Sequence, residues 1–259
     1  MKRLTILALF LFPSVVCAQQ RTAAISPESF EKRAEFSAAA FDIVWARPRH
    51  MIDLDTLAGQ WIRRGHRSGT AYAPVLESEN GEFILMYLSF LIYRTEGEIE
   101  IDQTMRKLEK SPPTNELLTN DNYPRLLITG ELKAAYGYTE GFFNPVEGKA
   151  FTREDFETYV TIVSGGKARR WFNADSVFLY TLPVDDPFKK GYTHCTGMIV
   201  SKKGRASIGL KLWFTNAGKK KEQQYLRSLR WKIRYRNDDW KYDREVFERA
   251  VRNREGDRK

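Results

Sequence analysis

Hydrophobic and polar positions change rhythm along this chain, and the changes predict its elements. Ser26-Pro27-Glu28 places a capping serine, a first-turn proline and an acid in order, so a helix is predicted from there through Phe41, ending before Pro48. A second, short helix is predicted from Asp55 to Arg63, stopped by Gly65. Beyond it the pattern turns extended. Strands are predicted at Phe83–Arg94, Glu98–Ile101, Leu126–Thr129, Glu131–Tyr138, Thr158–Val163, Val177–Leu182, Tyr192–Ser201 and Ala206–Thr215. Asn80-Gly81, Glu96-Gly97, Gly130, Gly165-Gly166 and Pro183 separate them as turns, and Thr152–Phe156 reads as one capped helical turn.

The last forty residues alternate differently. Lys219–Leu229 has helical spacing; then Trp231, Ile233 and Tyr235 alternate with Lys232, Arg234 and Arg236. Period two predicts a half-buried strand with aromatic and aliphatic residues on one face and three cations on the other. Asn237 or Asp238 is positioned to cap a final helix whose apolar stripe is Trp240, Phe247, Ala250 and Val251. The fold class this predicts is α+β: N-terminal helices, a largely antiparallel sheet, and a C-terminal helix–strand–helix. Residues 19–259 read as one globular domain, with 111–125 the place where a subdivision would fall.

Tyr192–Thr215 reads as a hairpin turning at Lys203-Gly204. That register sets Cys195, Gly197 and Ile199 opposite Leu212, Leu210 and Ile208, with His194 opposite Trp213 and Thr196 opposite Lys211. A slip of one residue would exchange the faces.

Residues 1–18 are read separately. Lys2 and Arg3 precede an apolar run from Leu4 to Val16, and Val16-Cys17-Ala18 offers small residues for cleavage between Ala18 and Gln19. This is the anatomy of a secretory signal peptide, so the protein is expected to be exported to the periplasm or beyond. The alternative is a lipoprotein anchored through Cys17, although Val16 stands where Gly, Ala or Ser is favoured. Phe83–Ile92 is the most apolar later run, and its ten residues are too few to span a bilayer.

Charge then sharpens the picture. The 259 residues carry 42 Lys and Arg against 33 Asp and Glu, a net charge of +9. Residues 19–218 hold 25 basic and 25 acidic side chains, whereas 219–259 hold 15 and 8. The excess of the exported chain is therefore confined to its C-terminal end.

Candidate chemistry is sparse. His194 and Cys195 are neighbours on a strand, so they point to opposite faces and cannot act as a nucleophile–base pair. The three histidines, at 50, 66 and 194, have no metal-ligand spacing, and no metal or cofactor is expected. Asp185-Asp186 lies between prolines as a surface turn. No GxSxG, P-loop or GxGxxG pattern occurs; Gly165-Gly166-Lys167, followed by Ala168-Arg169-Arg170-Trp171, comes nearest to an anion loop. Trp61, Trp171, Trp213, Trp240, Phe142 and Phe143 are aromatic candidates for a carbohydrate surface. The expected function is non-catalytic binding of an anionic partner, such as an envelope component, acidic glycan, lipid phosphate or acidic protein, through Lys232, Arg234 and Arg236 with His194 and Trp213 nearby and Lys219–Lys221 in support. Nucleic acid is not expected, because Trp231 and Tyr235 would face away from the cations. The rival readings are an exported hydrolase with two carboxylates, or a carboxylate beside a histidine, in a cleft, and a structural subunit of an envelope complex.

Overall fold

The computed structural model describes residues 28–63, 66–87, 93–108, 116–136, 138, 151–185 and 187–256, with backbone alone over 58–63 and 66–73. The predicted signal peptide with Cys17, Ala18 and Gln19, the predicted Ser26-Pro27 cap, Phe142-Phe143 and the side chains of Trp61 and His66 lie outside this description. The architecture is α+β. In chain order the elements are α1 (Phe30–Phe41), β1 (Ile43–Trp45), β2 (Met51–Arg63), β3 (His66–Ser78), β4 (Phe83–Tyr87), α2 (Glu96–Leu108), α3 (Tyr123–Tyr136), α4 (Arg153–Tyr159), β5 (Val160–Ser164), α5 (Gly165–Phe172), β6 (Ser176–Leu182), β7 (His194–Ser201), β8 (Ile208–Phe214), α6 (Asn216–Lys220), α7 (Glu222–Ser228), β9 (Ile233–Tyr235) and α8 (Arg244–Gly256).

Seven strands form one antiparallel sheet in the order β2-β3-β4-β8-β7-β6-β5, and β1 pairs with β9 in a second, two-stranded sheet. Two meanders, β2–β4 and β5–β8, are thus joined where β4 meets β8. Both faces of the large sheet are covered. On one face Leu85, Met198, Leu210 and Phe214 pack with Phe30 and Phe41 of α1, Phe172 of α5, Leu226 of α7 and Ile233 and Tyr235 of β9. On the other, Ile84, Ile199 and Trp213 pack with Ile128 and Leu132 of α3 and Phe156 of α4. Two-sided burial explains why β4, and β8 apart from Lys211, are apolar without alternation.

Several predicted elements change type. The segment from Asp55 to Arg63 is strand, because β3 supplies a long antiparallel partner; register shifts along the ladder break the period-two pattern that would have revealed it. Glu98–Ile101 lies in helix α2: Thr95 and Glu98 exchange hydrogen bonds between side chains and backbone N–H groups (2.7 and 3.3 Å) as a capping box. The two strands predicted over 126–138 are one helix, α3, whose Ile128, Leu132 and Ala135 are buried at helical spacing across Gly130. Gly165-Gly166 opens α5 instead of turning between strands. The caps also move, to Ser29 for α1 and to Asp243 for α8, where Asp243 Oδ1 accepts from Glu245 N (2.9 Å) and Val246 N (3.0 Å).

The β7–β8 hairpin is slipped by one residue from the predicted register, so Cys195 faces Trp213, Gly197 faces Lys211 and His194 faces Phe214. Its turn runs over Lys202–Arg205, with Gly204 at φ +66° and Arg205 N donating to Lys202 O. The turn is longer than two residues because both of its ends are used inside the fold. Lys202 donates to Asn173 O (3.0 Å) and pairs with Asp238; Arg205 donates to Phe41 O (3.0 Å) and Asn237 O (2.9 Å).

The slip assembles a buried polar network. Gly197 lies between Lys211 on β8 and Tyr180 on β6. Tyr180 donates to Glu131 of α3 (2.5 Å), and Lys211 reaches Glu131 (2.5 Å) and Tyr180 Oη (2.9 Å). A side chain at 197 would collide with the Tyr180 ring. Gly197→Ala is therefore expected to lower unfolding free energy by about 1–3 kcal/mol, measured by urea denaturation; an unchanged midpoint would refute this packing.

Candidate functional site

Two stretches that are distant in sequence meet at one end of the molecule. In α5, Ala168 and Phe172 are buried at i and i+4, which fixes the helix on the sheet and leaves Lys167, Arg169 and Arg170 exposed. Trp171 is half-buried, and Lys167 Nζ lies 4.7 Å from its ring centroid. Leu226 and Leu229 anchor the second stretch, residues 226–234, against the same face. Trp231 N donates to Trp171 O (3.2 Å), which ties the two together.

The cations here are held by indoles. The Arg230 guanidinium sits 3.2 Å from the Trp171 ring centroid, and that of Arg234 sits 4.9 Å from Trp231. Desolvation lowers the pKa of Arg230, and the like charges of Arg227 and Arg170 push it further the same way. Among the described residues, no carboxylate comes within 4.0 Å of the basic groups of Lys167, Arg169, Arg170, Arg227, Arg230, Lys232 or Arg234. Beside the patch, Val163, Trp171, Phe172, Leu179 and Leu226 line a small apolar crevice.

Trp231 departs most from the expected pattern. Period two would bury it with Ile233 and Tyr235, which are fully buried; it is instead 57% exposed, at φ +64°. The strand begins only at Ile233, and the preceding turn is closed by Lys232 N and Ile233 N, both donating to Leu229 O. A left-handed backbone at a tryptophan is strained. The alternation argument that kept aromatics away from the cations fails at this residue.

The other predicted site residues disperse. Arg236 lies 3.9 Å from Asp42 Oδ1, whereas Arg234 turns to Trp231, so the cations predicted to act as one row have different neighbours. Lys219 pairs with Glu222 and Lys221 with Glu82, each at 2.8 Å. His194 Nε2 lies 2.8 Å from Asn216 Oδ1 on the opposite sheet face from Trp213, which is buried and donates to Met86 Sδ (3.1 Å). Trp213 therefore presents no surface beside His194. Cys195 is buried, and desolvation pushes its thiol up to about 12, far from a thiolate nucleophile. His50 and Glu79 approach to 3.0 Å, exposed at the β2–β3 end. Among the described residues no three His, Cys, Asp or Glu side chains form a group able to hold a metal, and no helix is long and apolar enough to cross a membrane.

Reading the sequence finds Lys167, Arg169, Arg170 and Trp171 as one segment and Arg234 as another, and it misses Arg227 and Arg230. The available signal is Arg-x-x-Arg-Trp at a helix end, which becomes meaningful only once Trp171 is placed beside it. The sequence matches no protein-family model, and neither the curated proteins nor the solved structures contain a significant match to it.

Relief of the left-handed backbone strain at Trp231 offsets the lost Arg234 contact and the greater freedom of glycine in the unfolded chain. Trp231→Gly is therefore expected to change stability by less than about 1 kcal/mol, read from urea melts. A clear loss of stability would show that the exposed indole is a structural element.

Proposed function

We propose that this protein is a non-catalytic binding protein that engages an anionic partner through the patch formed by α5 and residues 227–234. The supporting observation is the set of cations gathered there with no carboxylate within 4.0 Å among the described residues. Several surface arginines elsewhere are neutralised locally, as in Arg47–Glu31 (2.7 Å), Arg153–Glu157 (2.7 Å) and Arg244–Glu248 (2.7 Å), whereas Arg49, Arg125 and Arg249 are, among the described residues, isolated cations that no such cluster joins. An arginine bound bidentately to a carboxylate has its donors occupied, whereas one stacked on an indole keeps its terminal Nη groups for an incoming oxyanion. At Arg234 the Nε donates to Tyr235 O (3.4 Å) and at Arg230 the Nε is buried, so the Nη groups are the ones available. Arg234 covers one face of Trp231 and Arg230 one face of Trp171, so oxyanion contact is favoured over base stacking.

The test is retention on an immobilised sulfated polysaccharide and on polyphosphate. Reversing Lys167, Arg170 and Arg227 to Glu is expected to weaken retention by about tenfold or more at low salt and to flatten its salt dependence. Arg236→Glu, beside Asp42, is expected to change retention far less. If the triple reversal is retained like the wild type while its circular dichroism is unchanged, this function is wrong.

Export belongs to the same proposal, since it sets which anions the patch meets. Intact-mass measurement of the protein recovered from an expressing cell is expected to show a chain beginning at Gln19. A lipid mass on Cys17 would replace release with anchoring, and an unprocessed chain would overturn export.

A further inference from the structure

Resting on that reading, we infer that the anionic partner is a membrane surface, and that Trp231 is the residue that enters its interface. Three observations converge on this. First, the chain holds a large indole in the left-handed backbone region at 57% exposure, although the sequence alternation would bury it. An exposed tryptophan kept in a strained conformation has a use outside the fold. An indole has an apolar body and a polar N–H edge, which suits the headgroup layer of a bilayer better than bulk water or hydrocarbon.

Second, the charge closest to it is basic, and the acid Asp238, which feels Arg169, pairs with Lys202. Arg227, Arg230, Lys232 and Arg234 surround Trp231 in sequence, and Lys167, Arg169 and Arg170 come alongside through the Trp231–Trp171 contact. An interfacial surface that carried carboxylates would be repelled by anionic lipid; among the described residues, these cations have none within ion-pair distance. Third, Arg234 already occupies a face of the Trp231 ring. This hinders stacking of a sugar ring there, while leaving the guanidinium beside lipid phosphate when the edge of the indole enters the interface. Anionic glycans share the charge chemistry but not the use for an indole whose face is covered.

The experiment compares sedimentation of the full chain with phosphatidylcholine vesicles and with vesicles containing about 30% phosphatidylglycerol. Retention on immobilised polyphosphate is measured in parallel. Any contribution from residues 1–27 is common to all variants and cancels between them. The wild type is expected to bind the anionic vesicles and to lose that binding as salt rises. Trp231→Gly, which suits the local backbone, is expected to weaken vesicle binding by about tenfold while leaving polyphosphate retention within about twofold. The double reversal of Lys167 and Arg170 to Glu is expected to weaken both. If Trp231→Gly binds vesicles like the wild type, or if the wild type is retained by polyphosphate but ignores vesicles, the membrane inference falls and the anion-binding function stands. If the wild type binds neither, both fall.

Discussion

The candidate surface depends on one buried phenol. Tyr235 is fully buried beneath β9, and its hydroxyl donates within reach of two carbonyls at the turn end of the central hairpin, Ala206 O (2.7 Å) and Val200 O (3.2 Å). Burying a tyrosine without a partner for its hydroxyl would cost a large fraction of a small protein's stability, so this position tolerates one placement of β9 across the sheet. Asn173 fixes the strand from the other side by donating to Tyr235 O (3.2 Å), and Asn173 is also the left-handed cap that ends α5. One short strand therefore sets where α5 stops and where the chain emerges beside it.

The same hairpin end collects buried cations. Arg205 is almost fully buried, with its guanidinium 4.5 Å from the Trp240 ring centroid and 5.2 Å from that of Tyr235, while Lys202 pairs with Asp238. Desolvation lowers the pKa of Arg205, opposed by the neighbouring acids, and its backbone acceptors Phe41 O and Asn237 O join three parts of the chain at one side chain. Turn residues that look solvent-exposed in sequence are thus interior fasteners. This is why a two-residue turn at Lys203-Gly204, the economical reading of the pattern, misplaces the register by one residue.

What the sequence makes legible follows from how local each cause is. Strands β5 to β8, the Thr152 capping box and the C-terminal helix–strand–helix are carried by residues within a few positions of one another, and they occur close to where the pattern puts them. The second N-terminal helix fails because β2 owes its form to a partner strand. The strands predicted over 126–138 fail because a helix buried along one stripe, with a glycine in its middle, imitates two short extended runs. The candidate site divides the same way. The cations of α5 and of β9 are visible as charge, but their joining is a tertiary fact. Trp231 is read wrongly because alternation is extended one residue beyond the strand that enforces it.

The electrostatics of the patch supply the remaining step. Acids in this protein are not scarce: Glu31, Glu82, Asp102, Glu157 and Glu248 each neutralise a surface cation. Among the described residues none pairs with Arg227, Arg230 or Arg170, which leaves like charges facing one another, with Arg230 partly desolvated against Trp171. Cation–π contact offsets part of that repulsion at a protein surface, about 0.5–1 kcal/mol for each pair. It does so without occupying the terminal Nη donors of the guanidinium, although Arg234 Nε donates to Tyr235 O (3.4 Å). The unliganded surface is consequently the state of higher electrostatic energy, and any oxyanion that reaches it removes repulsion in addition to forming its own hydrogen bonds. By linkage, an anion that binds the folded patch must also stabilise the fold that assembles it. The residues through which that stabilisation passes are those that fix the patch, Asn173 and Tyr235.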